Sequence, residues 1–163
     1  VIDILKDMGG DISLLDEREV SGEPVADILV KSSALKGVTI GGALIPRAID
    51  ELPVIAAAAA YAEGATVIKD AAELRVKETD RIKAVATELG KMGAAVEEFE
   101  DGMAITGKER LSGAACESWG DHRIAMAVAV AASRAVGETE IDDAEAVAVS
   151  FPEFFEVLKG LGS

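Results

Sequence analysis

Ile82, Val85, Ala86, Leu89 and Met92 recur at steps of three and four residues. This stripe predicts an amphipathic helix over residues 80–92, with Arg81, Lys83, Thr87 and Lys91 off its apolar face. Two other stretches, residues 52–61 and 124–136, are apolar on almost every side, and each follows an aspartate, Asp50 or Asp121. They predict helices buried all round rather than helices with one wet face. Residues 96–99 and 103–106, joined around Asp101-Gly102, read as a β-hairpin. An earlier strand pair is expected at residues 12–15 and 26–30, ahead of a short strand Val38-Thr39-Ile40.

Parts of this pattern repeat. Leu5-Lys6-Asp7-Met8-Gly9, Leu89-Gly90-Lys91-Met92-Gly93 and Leu158-Lys159-Gly160-Leu161-Gly162 echo one another, each reading as a helix end closed by glycine. Residues 64–71 match residues 137–144 at five of eight positions, and an Ala-rich helical run precedes each. Matched phrases at matched spacing mark an internal repeat. Its unit is a helix, a short strand, a loop, a second helix and a strand pair. The expected class is therefore α/β, a single unit over residues 1–163 with no linker dividing it. Both ends read as cuts through a larger repeat.

Composition narrows the chemistry. Half of the 163 residues are hydrophobic but only 4% are aromatic, so the core is expected to be built from Ala, Val, Ile and Leu. A net charge of −14 argues against nucleic acid and anionic membrane surfaces as partners. The longest apolar runs are too short to span a bilayer, and no secretory signal pattern opens the chain. Cys116 and His122 are the single cysteine and histidine, which leaves no internal disulfide and no His/Cys zinc set. A reduced, cytoplasmic setting is expected.

Against this acidic background, Arg75, Lys77, Arg81 and Lys83 place four of the 16 basic residues within nine positions. Cations packed so closely need a bound anion or neighbouring carboxylates. A solvated, ion-paired helix start is the ordinary reading of such a run. Two features favour an anion site: a second candidate at Gly120-Asp121-His122-Arg123, and the position of both within the repeat. Asp50 and Asp121 stand where N-caps stand. A helix N-terminus presents free N–H groups, and Arg123 adds a planar fork for carboxylate or phosphate, with His122 beside it. Lys77 and Arg81 share one helix face if the helix has begun there. Glu78, between them, is available to accept a proton or a hydroxyl hydrogen bond. The combination points to proton transfer on an anionic substrate held by Lys and Arg.

The stretch Glu73-Leu74-Arg75-Val76-Lys77-Glu78-Thr79-Asp80-Arg81-Ile82 resembles the signature of the 5-enolpyruvylshikimate-3-phosphate synthase (3-phosphoshikimate 1-carboxyvinyltransferase) family. Ile49-Asp50-Glu51-Leu52-Pro53, Gly120-Asp121-His122-Arg123-Ile124-Ala125-Met126-Ala127 and Ser150-Phe151-Pro152-Glu153-Phe154-Phe155 resemble other motifs of its C-terminal part, in the same order. The resemblance implies two domains, each an inside-out, barrel-like assembly of three α/β units with helices inside and sheets outside. This chain would be a partial C-terminal domain, without the N-terminal domain and inactive alone.

The implied reaction transfers the enolpyruvyl group of phosphoenolpyruvate to the 5-hydroxyl of shikimate 3-phosphate, by addition and then elimination of phosphate, in aromatic amino acid biosynthesis. It implies a monomer and no metal or organic cofactor. By motif position, Asp50 and Glu78 correspond to the proton-transfer pair. Asp50 also holds shikimate hydroxyls, and Lys77 contacts the shikimate side and assists proton transfer. Arg81 and Arg123 grip phosphoenolpyruvate, with His122 beside them. Two positions depart from some members: Val149 stands where a phosphate-binding Lys is found, and Glu73 where Asn is found. The alternatives are an enolpyruvyl transferase acting on a UDP-sugar, which lacks the charged heptad, and a non-catalytic binding module.

Overall fold

The computed structural model describes residues 1–161. In chain order the elements are α1 (Ile2–Asp7), β1 (Asp11–Val20), β2 (Glu23–Lys31), β3 (Thr39–Ile40), α2 (Ile45–Ala48), α3 (Leu52–Ala59), β4 (Ala65–Ile68) and α4 (Arg81–Lys91). After these come β5 (Ala95–Phe99), β6 (Gly102–Thr106), β7 (Ala115–Glu117), α5 (His122–Ala132), β8 (Glu140–Asp142) and α6 (Phe154–Leu161). The fold is mixed α/β, and among the described residues no sheet closes into a barrel.

Helices α3 and α5 form the centre. Leu52, Ile55, Ala56 and Ala59 of α3 are buried with Ile124, Val128 and Ala131 of α5, and the two helices pack on each other. Burial on nearly all sides is what their apolar circumference demanded, since any solvated face would leave alkyl surface in water. Pro53 sits in the first turn of α3, where a missing N–H removes no helical bond. Helix α4 is amphipathic as expected, burying Ile82, Val85 and Leu89. Its boundary differs slightly, because Asp80 is the cap rather than the first helical residue and accepts from the Lys83 amide at 3.0 Å.

Strands β3, β4, β6 and β5 lie side by side in that order, β3 parallel to β4 and the others antiparallel. The hairpin predicted around Asp101-Gly102 is β5–β6. Arg75 secures its turn by donating from Nε to the Glu100 carbonyl at 2.9 Å and pairing with Asp80 at 2.8 Å. One basic residue of the charged heptad is therefore structural.

The internal repeat is visible in the backbone. Helices α3 and α5 each lead into a short strand whose partner is parallel, β4 on β3 and β8 on β7. At matched positions Gly64 and Gly137 take φ +85° and +94°, and Asp70 and Asp143 take φ 61° and 54°. Left-handed aspartates are uncommon, so their recurrence at one place in both units reflects a shared turn. The third helix-end phrase falls in α6, except for Gly162, which lies outside the described residues.

The first strand pair is longer than expected. Ile12 does face Val30, but β1 and β2 continue past a register shift between Leu15 and Arg18 to a tight turn at Ser21-Gly22, both left-handed. Two such residues are what a two-residue hairpin turn requires. Asp16, Glu17, Arg18 and Glu19 hide this extension from a pattern search because both faces of the ribbon there are exposed.

Thr66 and Thr139, also matched in the repeat, have buried hydroxyl oxygens with no hydrogen-bond partner among the described residues. An unpaired buried hydroxyl costs about 1–3 kcal/mol. Thr66→Val is therefore expected to raise stability by about 1 kcal/mol, read as a higher urea midpoint at unchanged slope. A lower midpoint would mean that the hydroxyl has a partner in solution.

Candidate active site

The site is assembled where the N-terminal ends of α3, α4 and α5 meet. Capped by Asp80, α4 starts with Arg81 turned inward, and its side chain is only 1% exposed. Every arm of the guanidinium is occupied. Nε donates to Asp121 Oδ2 at 2.8 Å, Nη1 to Asp50 Oδ1 at 2.9 Å, and Nη2 to Glu78 Oε2 at 2.6 Å and Asp121 Oδ1 at 3.3 Å. Burial alone would lower the Arg81 pKa, but the hydrogen bonds and charge of Asp121, with Asp50 and Glu78, raise it above its ordinary value. Asp121, 0% exposed, does two jobs, because its Oδ1 also accepts from the Arg123 amide at 2.8 Å and caps α5.

Asp50 collects the remaining cations. Lys77 Nζ lies 3.5 Å from Oδ1, and Arg123 Nη2 lies 4.0 Å from Oδ2. Arg123 Nη1 also donates to the Asp50 carbonyl and to Glu51 Oε1, both at 2.9 Å. Burial by itself would raise the Asp50 carboxyl. The Arg81 hydrogen bond and the charges of Lys77, Arg123 and Arg81 outweigh it and hold the pKa below the usual value.

Three expectations need correction. Asp50 is not a cap: Glu51 holds that position for α3 and its side chain makes no capping bond, so the Asp50 carboxylate stays free to face Arg81 and Lys77. Lys77 and Arg81 do not share a helix face, because Lys77 is in extended backbone just after the short 3-10 turn Ala72–Val76. They still meet, since both reach Asp50 Oδ1. Arg81 is not off the apolar face but buried, with the buried Asp121 carboxylate as its partner.

His122 is half-buried at the start of α5 and makes no side-chain hydrogen bond among the described residues. Glu73 is an ion-pair partner of Lys77 at 3.4 Å. Val149 is 83% exposed at the end of the turn Ala144–Val149 and offers nothing to an anion. The sequence reading missed Glu51, as well as the pairing of Asp121 with Arg81. Their signal, an acid directly beside a recognised motif residue, is too common to single out.

In all, three cations, Lys77, Arg81 and Arg123, contact five carboxylates, Asp50, Glu51, Glu73, Glu78 and Asp121. The basic cluster is thus compensated internally. Asp121 is fully buried, whereas the Glu78 side chain is 50% exposed. A cavity of about 180 Å³ opens beside Asp50 and Arg123, walled by Val54, Met126, Phe151 and Phe154. It brings the Phe151-Pro152 motif to the charged cluster. Larger concavities of 440–500 Å³ lie elsewhere and include none of Asp50, Lys77, Glu78, Arg81 or Arg123. Among the described residues no group of three His, Cys, Asp or Glu side chains is arranged to hold a metal ion, and no helix is long and apolar enough to cross a membrane.

The chain is thus a mixed α/β protein in which helix N-termini, two arginines and a lysine gather around carboxylates. The EPSP synthase (3-phosphoshikimate 1-carboxyvinyltransferase) family profile matches residues 1–158. The 3-phosphoshikimate 1-carboxyvinyltransferase of Syntrophotalea carbinolica is 62% identical over 161 residues, 99% of this chain and 37% of that protein. That of Geobacter sulfurreducens is 60% identical over 158 residues, 97% of this chain and 37% of that protein. The EPSP synthase structure from Acinetobacter baumannii superposes with a TM-score of 0.93 at 45% identity, covering 99% of this chain and 38% of the other. The chain belongs to the EPSP synthase family. It spans under two fifths of the length of these relatives.

Asp50 supplies a pH test. With a folded pKa below its reference of 3.8, its stabilising contribution is complete above that value and is lost as pH falls through the folded pKa. Asp50→Asn is expected to flatten the fall in urea midpoint below about pH 4. A midpoint profile parallel to wild type would remove Asp50 from the ion-pair network.

Proposed function

We propose that the full-length protein transfers the enolpyruvyl group of phosphoenolpyruvate to the 5-hydroxyl of shikimate 3-phosphate, releasing phosphate, in aromatic amino acid biosynthesis. The observation that carries this reading is the convergence of Asp50, Lys77, Glu78, Arg81 and Arg123, from three separate sequence motifs, on one cluster. The names of the relatives support the reaction and its two substrates.

In this reading, Arg81 and Arg123 bind the carboxylate and phosphate of phosphoenolpyruvate. To do so, Arg81 exchanges Glu78 for the substrate anion, which releases the carboxylate next to the reacting atoms. Addition forms a C–O bond between the 5-oxygen and C2 of phosphoenolpyruvate, while the methylene carbon gains a proton and the hydroxyl loses one. Elimination takes a proton back from the methyl group and expels phosphate, which restores the double bond. Asp50 and Glu78 are the proton carriers. Lys77 steadies the shikimate side and the charge on Asp50, and His122 borders the phosphoenolpyruvate site.

This chain forms part of one domain of an inside-out architecture with buried helices and outer sheets. The enzyme is a cytoplasmic monomer that needs no metal or organic cofactor and does not bind nucleic acid. One wall of a cleft does not hold two substrates in reacting geometry, and such pre-positioning supplies much of the rate. Residues 1–163 alone are therefore expected to release no phosphate from the substrate pair above a heat-inactivated control.

The decisive test is Glu78→Gln in the full-length protein. A proton carrier loses about 10²–10⁴-fold in single-turnover rate when its carboxylate becomes an amide. Affinity for phosphoenolpyruvate should hold or improve, because the amide no longer competes for Arg81 as an anion. A rate within threefold of wild type, in a variant with native-like melting, would make Glu78 a counter-ion only. Arg123→Ala should cost at least about tenfold in affinity or turnover, and Arg123→Lys should recover only part of that, since a point charge does not replace the planar fork. An unchanged kinetic profile for Arg123→Ala would return Arg123 to packing.

A further inference from the structure

The carboxylate of Glu88 is buried at 0% exposure, two turns into α4 and away from the charged cluster. Removing a carboxylate from water is costly unless its oxygens are fully hydrogen-bonded. Here they are. Oε1 accepts from Trp119 Nε1 at 2.7 Å and from Lys91 Nζ at 3.0 Å. Oε2 accepts from the Glu117 amide at 3.0 Å and from Lys91 Nζ at 2.8 Å. Both bonds that leave α4 go to the short segment just ahead of Asp121.

That segment is bent sharply. Trp119 and Gly120 are consecutive left-handed residues with φ 59° and 66°. A non-glycine residue at such an angle persists only where surrounding contacts hold it. Ser118 holds it from within, accepting from the Gly120 amide through Oγ at 3.0 Å and from the Asp121 amide through its carbonyl at 3.0 Å. The turn then delivers Asp121 to Arg81 and starts α5, which carries Arg123. Arg81 and Glu88 are seven residues apart, two turns of α4, and so lie on nearly the same face. The helix therefore grips the turn at two points, through Arg81 on Asp121 and through Glu88 on Trp119 and Glu117.

We propose that Glu88 and Trp119 are positioning residues for the phosphoenolpyruvate-binding arginines. Their hydrogen bond fixes the left-handed turn that sets Asp121 against Arg81 and aims Arg123 toward Asp50. The inference deepens the transferase reading above and rests on it for its kinetic consequence. The shikimate side depends less on this turn, because Asp50 and Lys77 are carried by the chain ahead of α3 and α4. Loss of the Glu88–Trp119 bond therefore acts selectively on one substrate.

Trp119→Phe in the full-length protein keeps one aromatic ring and deletes the N–H together with the five-membered ring that carries it, whereas Glu88→Gln breaks the same pairing at unchanged volume. Trp119→Phe is expected to raise KM for phosphoenolpyruvate about fivefold or more, with KM for shikimate 3-phosphate within twofold. Glu88→Gln goes further in the same direction, because its amide NH₂ faces the Trp119 or the Glu117 N–H, donor against donor. Hydrogen–deuterium exchange reads the clamp without turnover. Amides of residues 118–123 should exchange at least tenfold faster in Trp119→Phe, while those of α3 keep their rates. Unchanged exchange at residues 118–123, or equal changes in both KM values, would overturn the proposal. A wild-type protein with no transferase activity would overturn the function proposed above instead, and the exchange measurement would still decide the clamp.

Discussion

The bidentate pair between Arg81 and Asp121 is the contact on which the site depends. Both side chains are almost wholly removed from water, and they stand at the N-terminal ends of different helices. Such a pair contributes little net stability over a well-packed apolar alternative, but losing one partner strands a buried charge at about 3–5 kcal/mol. Its value is geometric. It fixes α4 and α5 end to end, with Arg123 facing the loop that carries Asp50. Because Asp121 spends one oxygen on the α5 cap, the same carboxylate sets both the direction of the helix and the plane of the guanidinium.

Compensation of charge is the second constraint. In a chain of net charge −14, three cations brought together invite neighbouring acids before any substrate arrives. The acids differ in freedom. Asp121 is fully buried and Asp50 is shared among three cations, whereas Glu78 is half in solvent on a non-helical segment.

The repeat explains why these groups converge. Each unit follows a parallel strand with a buried Ala-rich helix through the centre, so helix N-termini from successive units gather at one side. Small side chains on α3 and α5 allow direct packing of the two helices. Rigid core elements thereby hold the charged residues that loops alone would leave loose.

Much of the fold was legible because it follows from local rules. Continuous apolar runs mark buried helices, a three-four stripe marks α4, and repeated phrases mark the units. The charged heptad and the Gly120–Arg123 phrase pointed to residues that the structure gathers into one cluster. What the linear chain did not show was direction and partnership. Nothing near Arg81 in sequence says that it turns inward to meet an aspartate 40 positions away. Asp50 looks like a cap until the observed start of α3 gives that place to Glu51. Nothing in the sequence singles out Glu88, which Trp119 and the Glu117 amide close over in the fold. Helices, turns and units are set by neighbours along the chain, so the sequence by itself determined them. Which carboxylate compensates which cation depends on distances that exist only after the helices pack, and the tertiary structure alone decided it.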